Sequence, residues 1–509
     1  MQRINNQRTA VFLLILSLGI FLRLYDINGE SLWLDEWISI YRARLSPVEI
    51  VKNLLFDNHP PLYFFILHSW TGIFGDSSIS ARLLSVVFGS GALILMYRVA
   101  GLIFGKNIGL LSAFILAIAP LHIYYSQEVR SYSLMVLLSL FSMYFFIQLM
   151  EERTSNRSRG YAIFSALLLY THHYGLFIIV AQNIYLLTVP FLSKGANTLN
   201  PGKWLRLQIT LFLIYVPWIA PWGGILIYRA IQHQTRTGWI PLPPFYSVIE
   251  TFSVYCGSLS FLWFFLILAF LSLITHKGTD DVLDREKASS RPESITRDLR
   301  FPHTSRVYFL ILWLLVPVFL PFIISHLFMP IYNTRYTIAA SLAFYMLIAK
   351  GIDNVHKKYI QSVLILIITV ISLGNTFEYY TKTDKQQWRE VIHNIDQTAE
   401  EGELILFIPS YSKKFIFDYF SRRPYLQALP FPSHEKFTNE SVEKLRTVTE
   451  GFNRVWFIVS HGADTEKLIE KSFNSLQYYV SYYKKYDGQG SLQDWAIIEI
   501  YLFVKDKKA

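Results

Sequence analysis

Long apolar runs, separated by short polar segments, occupy about the first three quarters of the chain. Most of these runs approach the roughly 20 residues that an α-helix needs to cross the hydrocarbon core of a bilayer. The pattern therefore predicts a polytopic α-helical membrane protein with about eleven transmembrane helices. The predicted spans are residues 10–25, 79–99, 107–124, 131–150, 161–172, 174–192, 207–228, 247–275, 307–328, 336–349 and 359–378.

The pattern changes after residue 380. Short apolar runs at residues 404–408, 455–459 and 496–504 predict strands, and helical patterns at residues 387–398 and 412–421 intervene. We therefore expect two domains. These are a transmembrane domain over residues 1–380 and a small α/β domain over residues 381–509.

Two segments of the transmembrane part need a separate interpretation. The first external loop, residues 26–78, is long and contains an apolar stretch at 61–75 that is too short to span a membrane. The proline pair Pro60-Pro61 stands at its start and suits the beginning of a helix, so we predict an amphipathic helix at the membrane interface. Residues 161–192 are long for one helix and short for two, and we interpret them as a hairpin that turns at His172 and His173.

The charge distribution fixes an orientation. Only 17% of the residues are charged, against about a quarter in a soluble domain, which excludes an ordinary cytosolic enzyme. The net charge of +10 lies entirely in the first 380 residues, because the tail carries 18 basic and 18 acidic residues. A neutral tail argues against a nucleic-acid partner. If the N-terminus is cytoplasmic, 20 of the 29 basic residues before residue 381 lie on the cytoplasmic side of the membrane, as positively charged loops tend to do. The same orientation places a flexible 276–306 connection on the cytoplasmic side and the C-terminal domain on the extracytoplasmic side.

An adjacent pair of acids follows the first span. Asp35 and Glu36 stand between Trp33 and Trp37 in the first external loop. A carboxylate in an aromatic setting near the interface is partly desolvated, which raises its basicity and suits general-base work. The alternative is that one of the acids merely caps a helix beginning near Trp37.

Basic and ionisable candidates occur at three further loops. His59 precedes a proline pair, which holds it extended and able to point into a polar cavity, although a solvated loop histidine is the alternative. Glu128 and Arg130 lie between two apolar spans, where ionisable groups are costly unless they are functional or form a structural ion pair. Arg335 lies at a predicted helix start, and its forked donors suit a phosphate.

Several motifs follow one another in a distinctive order over residues 8–380. They are Asp35-Glu36, His59-Pro60-Pro61-Leu62-Tyr63, Phe74-Gly75-Asp76-Ser77, Ala81-Arg82-Leu83-Leu84-Ser85, Ser126-Gln127-Glu128-Val129-Arg130-Ser131-Tyr132 and Tyr170-Thr171-His172-His173-Tyr174. Together they resemble bacterial membrane glycosyltransferases of the GT-C superfamily, in the branch of the protein O-mannosyltransferases and lipid A aminoarabinose transferases. The tail's start, Lys385-Gln386-Gln387-Trp388-Arg389, is also similar to that of family members.

The resemblance implies a reaction and a location. The donor would be a sugar on a polyprenyl phosphate, and the acceptor hydroxyl would belong to a protein, a lipid or a polysaccharide outside the plasma (inner) membrane. Asp35 matches the first-loop acid that is thought to deprotonate the acceptor hydroxyl. The acceptor oxygen would then attack the sugar carbon with inversion of its configuration. Glu36 would orient the acceptor or hold the loop. Cationic donors must stabilise the leaving phosphate. His59, Arg130 and Arg335 would bind the phosphate, and the site would be lined by Glu128, Tyr132, His172 and His173.

One departure concerns a metal. Aminoarabinose transferases carry an acid and a lysine just before the proline pair, whereas this chain has Asn58 and His59. We therefore expect no obligatory metal and no other cofactor.

Two other functions compete with sugar transfer. A transporter or lipid flippase would be expected to show repeats and broken helices with midplane ionisable groups, which the sequence does not clearly contain. A non-catalytic scaffold would leave Asp35, Glu36 and His59 without a common purpose. A glycosyltransferase is the interpretation that the sequence favours.

Overall fold

The computed structural model describes most of the chain. The described residues are 2–57, 59–151, 154–192, 199–231, 240–274, 303–383, 385–409, 413–423, 425–432, 437–460, 468–487 and 497–506. Asn58 and most of the predicted 276–306 connection lie outside them.

Contacts within the chain group it into two compact units. The membrane unit comprises residues 1–25, 45–75 and 80–377, and the α/β unit comprises residues 26–44, 76–79 and 378–509. Part of the first predicted loop thus belongs to the same unit as the C-terminal tail. The domain boundary at residue 380 stays a prediction.

Among the described residues, helices make up the whole of the regular structure before β1, the strand at Leu404–Ile408. In chain order they are α1 Gln2–Leu24, α2 Leu34–Ala43, α3 Pro47–Leu55, α4 Leu62–Phe74, α5 Ser78–Phe104, α6 Lys106–Ile118, α7 Pro120–Ser126, α8 Tyr132–Glu151, α9 Ser155–Leu169, α10 Gly175–Leu192, α11 Pro201–Ile231, α12 Ser247–Cys256, α13 Leu262–Leu271, α14 His303–Leu327, α15 Ile338–Asp353, α16 Lys358–Thr381 and α17 Trp388–Thr398. Short 3₁₀ turns precede α13 and α15 at Leu259–Phe261 and Thr334–Thr337.

The chain is a multi-pass membrane protein. Among the described residues, seven helices are long and apolar enough to cross a bilayer, and two bent pairs raise the number to nine. Every one of the eleven predicted spans overlaps a helix, but α9 and α15 have only 15 and 16 residues. The expected helical break at His172 and His173 is present, because α9 ends at Leu169 and α10 begins at Gly175. The short helix predicted at residues 61–75 is α4, whose placement at an interface stays a prediction.

Two of the candidate spans consist of two helices that meet at a sharp bend, which the sequence did not clearly indicate. Helices α6 and α7 meet at an angle of 62°, because Ala119 precedes a proline and therefore leaves the helical region. Helices α12 and α13 meet at 86°. There the chain turns at Gly257, which ends α12 in the left-handed conformation at φ 84°.

We expect the Gly257→Ala substitution to destabilise the protein by about 1–3 kcal/mol. An alanine at this left-handed position is strained, and its Cβ would lie 2.5 Å from the Nδ2 atom of Asn375. Gly374→Ala is the matched control, since a Cβ at this neighbouring helical position meets no atom within 4 Å. The thermal unfolding temperatures of the two variants in detergent measure the difference. Equal unfolding temperatures would contradict the strain argument.

The α/β unit contains a mixed five-stranded sheet in the order β2-β1-β3-β5-β4. Its strands are β1 Leu404–Ile408, β2 Gln427–Pro430, β3 Arg454–Ser460, β4 Tyr478–Tyr486 and β5 Ile498–Lys505, and its later helices are α18 Asp418–Phe420, α19 Asn439–Thr449 and α20 Leu468–Ser475. Strands β1 and β3 pair in parallel, with Leu404 opposite Val455. Both strands are almost wholly buried, which explains their continuous apolar sequences.

The sequence predicted the central strands and missed those at the edges. The structure confirms β1, β3 and β5, together with α17. Strand β4 carries two lysines and alternates between buried and exposed side chains, as befits an edge strand. Strand β2 has only four residues, most of them exposed. Neither edge strand therefore presents the apolar run that indicates a strand.

Candidate active site

The candidate base lies at the start of a helix in the α/β unit. Helix α2 begins at Leu34, so Asp35 and Glu36 both belong to its first turn. Glu36 is completely buried, and its Oε2 atom accepts a hydrogen bond from the backbone N–H of Trp33 at 3.4 Å. The Nζ atom of Lys385 lies 3.4 Å from the same oxygen. Glu36 therefore caps the start of α2, as the alternative interpretation expects of one of the two acids. Asp35 as a whole is half-buried.

Three predicted phosphate-binding residues of the membrane unit and one predicted lining residue, His172, lie shortly before a helix or in the turn that leads into one. His59 precedes α4, Arg130 precedes α8, and His172 precedes α10. Arg335 lies in the 3₁₀ turn that leads into α15. The N-terminus of a helix carries a positive partial charge that favours an anion. At α4 and α10 the first N–H groups, those of Leu62 and Gly175, donate to the backbone oxygens of Tyr170 and His172.

The structure brings these side chains together. The Nη2 atom of Arg130 lies 2.9 Å from the Nε2 atom of His59, and both side chains are buried. The ring of His172 lies 6.4 Å from that of His59 and 4.8 Å from that of Tyr336. The guanidinium of Arg335 lies 5.6 Å from the same Tyr336 ring. We call His59, Arg130, His172 and Arg335 the cationic cluster, a name that refers to its two guanidinium groups.

Two acidic residues and the ring of Tyr132 lie beside the cluster. Asp57 approaches the Nδ1 atom of His59 to 3.6 Å. Glu128 is completely buried, and its backbone oxygen accepts hydrogen bonds from Ser85 Oγ at 2.5 Å and from the N–H of Arg130 at 2.9 Å. The ring of Tyr132 lies 6.1 Å from that of His172. The predicted lining residues Glu128 and Tyr132 therefore lie beside the cluster.

His173 differs from its neighbour, because its contacts are with α11. Its Nδ1 atom is 2.9 Å from the hydroxyl of Tyr215, and its ring lies 4.4 Å from that of Trp222, tilted by 32°. The indole N–H of Trp222 in turn donates to the backbone oxygen of Asp57 at 2.8 Å. His173 therefore supports the segment that carries His59.

Two features of this region escaped the sequence analysis. Tyr336 is the ring on which His172 and Arg335 both pack, and it directly follows a candidate residue that was singled out for its charge. The second feature is Arg23, whose buried guanidinium donates to the backbone oxygens of Leu116 and Ala117 at 3.1 Å each. It thereby satisfies the last carbonyl groups of α6 before the break. The sequence signal that could have identified Arg23 is its position as a basic residue at the end of an apolar span.

Gln127 links the end of α1 to the loop that carries Glu128 and Arg130. Its Nε2 atom donates to the backbone oxygens of Arg23 at 3.1 Å and Tyr25 at 2.7 Å. Because Gln127 lies three residues before Arg130, these bonds hold the start of the loop in place.

The imidazoles at the turn between α9 and α10 are held neutral. Burial lowers the pKa of His172 well below its usual value, and neighbouring positive charges lower it further. Burial likewise lowers the pKa of His173 to about 3. A neutral imidazole can donate one hydrogen bond and accept another.

Acidification should therefore destabilise the folded protein through His173. An unfolded histidine takes up its proton near pH 6.5, so the stabilisation present above that pH is lost progressively as the pH falls toward the folded-state pKa of about 3. At pH 5 the loss amounts to about 2 kcal/mol. We expect the unfolding temperature of His173→Gln to fall less than that of the wild type between about pH 7.5 and 5.

His393→Gln is the matched control for this experiment. It replaces an imidazole on the exposed face of α17, and we expect its acid sensitivity to equal that of the wild type. If His173→Gln also loses stability as steeply as the wild type, the neutral state of His173 in the folded protein is wrong.

The described part of the chain contains no group of three or more histidine, cysteine, aspartate and glutamate side chains arranged to hold a metal ion. The expectation of no obligatory metal stays a prediction, and Asn58, on which it partly rests, lies outside the described residues.

Similarity to known proteins covers both the sequence and the fold. The family model of the dolichyl-phosphate-mannose-protein mannosyltransferases matches residues 58–222, a segment that includes His59, Arg130 and His172. No curated protein sequence matches the chain. The solved structure of ArnT from Cupriavidus metallidurans bound to undecaprenyl phosphate is 11% identical, with 97% of each chain covered and a TM-score of 0.55.

A second match comes from an archaeon. The structure of the Archaeoglobus fulgidus oligosaccharyltransferase in complex with zinc and sulfate is 12% identical in sequence, with a TM-score of 0.53. The match covers 94% of this chain and 72% of the oligosaccharyltransferase chain. The chain has the GT-C glycosyltransferase fold. The resemblance to GT-C glycosyltransferases and the fold class predicted from the sequence are thereby confirmed. The motif at His59 opens the part of the chain that the family model covers.

Proposed function

We propose that this GT-C membrane glycosyltransferase transfers a sugar from a polyprenyl phosphate to an acceptor hydroxyl at the outer face of the plasma membrane. The acceptor would be a protein, a lipid or a polysaccharide. The observation that carries the proposal is the cationic cluster, in which two guanidinium groups and two imidazoles lie at the starts of four helices. This combination of charge and helix N-termini suits a phosphate.

The chemistry of the donor fits such a site. When the bond between the sugar carbon and the phosphate oxygen breaks, the lipid phosphate takes both electrons and gains negative charge. Buried donors that stand ready to receive this charge stabilise the transition state more than water does. In our proposal, Arg130 and His59 bind the phosphate together, and Arg335 supplies the second guanidinium.

The acceptor needs a base. We propose that the carboxylate of Asp35 takes the proton from the acceptor hydroxyl as its oxygen attacks the sugar carbon, on the side opposite to the leaving phosphate. Attack from that side inverts the configuration of the carbon. Glu36 is fully buried beside Lys385 and the start of α2, which favours a role in holding the loop over a role in contacting the acceptor.

The supporting residues have roles of their own in this proposal. The neutral His172 would offer a hydrogen bond to the phosphate or sugar without a full charge. Glu128 and Tyr132 would line the site, and His173 would hold the segment of Asp57 through Trp222. Because two guanidinium groups can neutralise a phosphate, we expect transfer to proceed without an obligatory metal.

A lipid flippase is the second candidate, and one observation favours it. Two of the candidate spans are broken, by 62° and 86°, and transporters build their substrate sites from such broken helices. A flippase would move the lipid-linked sugar across the membrane unchanged. A transferase releases free polyprenyl phosphate and a glycosylated acceptor.

Reconstituted protein separates the two functions. The purified chain in proteoliposomes is supplied with radiolabelled polyprenyl-phosphate sugars and with extracts of envelope protein, lipid and polysaccharide. We expect label to move to one acceptor class with release of polyprenyl phosphate, and mass spectrometry to show the same product missing from cells without this protein. Translocation of intact donor without release would contradict the proposal.

A further inference from the structure

A buried ion pair joins two of the three segments of the sequence that form the α/β unit, residues 26–44 and 378–509. The Nζ atom of Lys385 lies 3.4 Å from the Oε2 atom of Glu36, and the side chains are 3% and 0% exposed. Such a pair is costly to desolvate, and removal of one partner leaves an uncompensated buried charge. The surroundings of Glu36 therefore depend strongly on Lys385.

Backbone contacts strengthen the same connection. The N–H of Lys385 donates to Glu30 Oε1 at 3.0 Å, and the N–H of Arg389 donates to Ser31 Oγ at 3.0 Å. The guanidinium of Arg389 donates to two further backbone oxygens, at Asn28 and Gly29. The segment that leads into α2 is thus held from Asn28 to Ser31 by residues at the start of the C-terminal tail.

The same helix is also packed by a second part of the tail. The ring of Trp37 lies 3.8 Å from that of Tyr419 and 5.1 Å from that of Phe420. With Glu36 paired and Trp37 packed, two consecutive side chains of the first turns of α2 are fixed. Asp35 immediately precedes them, and rotation of α2 about its axis would require both contacts to break.

We propose that Lys385 is a positioning residue that sets the orientation of Asp35 through Glu36. The C-terminal tail would then contribute to sugar transfer through Lys385. This inference rests on the proposed role of Asp35 as the base. Lys385 does not act on the substrate itself, and its effect would appear in the rate of the chemical step.

Kinetics of the full-length protein test the inference. We expect Lys385→Met to lower kcat about 10- to 100-fold at saturating donor, because a small misplacement of a catalytic group has effects of that size. The KM for the polyprenyl-phosphate donor should change less than about threefold, since the cationic cluster is untouched. Lys385→Arg should recover most of the activity. The matched control is Lys444→Met, which breaks an exposed lysine pair with Glu440 in the same unit and should leave kcat unchanged.

A double variant separates positioning from a general loss of folding. If the pair acts as a unit, Lys385→Met with Glu36→Gln should be less impaired than the product of the two single effects. Size-exclusion chromatography and unfolding temperature measure the folded fraction. A kcat that falls only in proportion to folded protein, or effects that multiply independently, would overturn the inference.

A spin label gives a readout that does not need activity. Cys256 is the single cysteine of the chain, so Asp35→Cys in a Cys256→Ser background accepts one label at the position of the base. We expect the label to be more mobile in the Lys385→Met background than with Lys385 or with Lys444→Met. Unchanged mobility would overturn the positioning role. If the wild type transfers no sugar, the proposed function fails, and the label still decides the role of Lys385.

Discussion

The Asp35→Asn variant should lose sugar transfer by a factor of about 10² to 10⁴, the range over which general bases contribute to enzymatic rates. The amide has nearly the shape of the carboxylate but cannot accept the acceptor's proton. Transfer of radiolabelled sugar from a polyprenyl phosphate, measured at saturating donor, gives kcat directly. Binding of the donor should be unaffected, because the phosphate is assigned to residues of the membrane unit.

Asp418→Asn is the matched control for the loss of the base. It makes the same chemical change at an exposed carboxylate of the same unit, which pairs with Lys413. We expect its kcat to equal that of the wild type and both variants to unfold at the wild-type temperature. Full activity of Asp35→Asn would show that Asp35 is not the base.

Substitution of the two arginines should weaken binding of the lipid phosphate. We expect Arg130→Met and Arg335→Met each to raise the Kd for undecaprenyl phosphate about 10- to 100-fold, which corresponds to the loss of one hydrogen bond between charged partners. Arg130 should show the larger effect, because its guanidinium contacts His59 directly. Binding of a fluorescent polyprenyl phosphate to the detergent-solubilised protein measures these constants.

Arg98→Met serves as the control for charge alone. Arg98 is an exposed arginine on α5 of the same membrane unit, and its removal should leave the Kd unchanged. A loss of affinity in all three variants would indicate a diffuse electrostatic effect. If both cluster variants bound undecaprenyl phosphate as well as the wild type, the phosphate site would lie elsewhere.

The spans were predictable because apolar length is a local property. Every predicted span overlaps a helix, and the break at His172 and His173 followed from a run too long for one span and too short for two. The bends at Ala119 and Gly257 were harder to predict. A proline or a glycine within an apolar run permits a break, but whether the helix breaks there depends on neighbours such as Arg23, which satisfies the carbonyl groups at the end of α6.

The candidate site was predictable where one residue type carries the signal. His59, Arg130 and Arg335 were selected for charge at helix starts, and the structure brings them together with His172. Tyr336 carries no such signal, because its contribution is a ring on which two members of the cluster pack. Lys385 stood in a recognisable motif, but its partner Glu36 is 349 positions away. No local sequence pattern predicts a contact between residues that lie so far apart in the sequence.

The grouping of residues 26–44 with the tail has a practical consequence for hybrid proteins. If the tail of this chain were exchanged for that of a relative, Glu36 would face a foreign residue at the position of Lys385, and the partners of Ser31 would change as well. A functional chimera would therefore require residues 26–44, 76–79 and 378–509 to be transplanted as a set. The tail alone is not an interchangeable module.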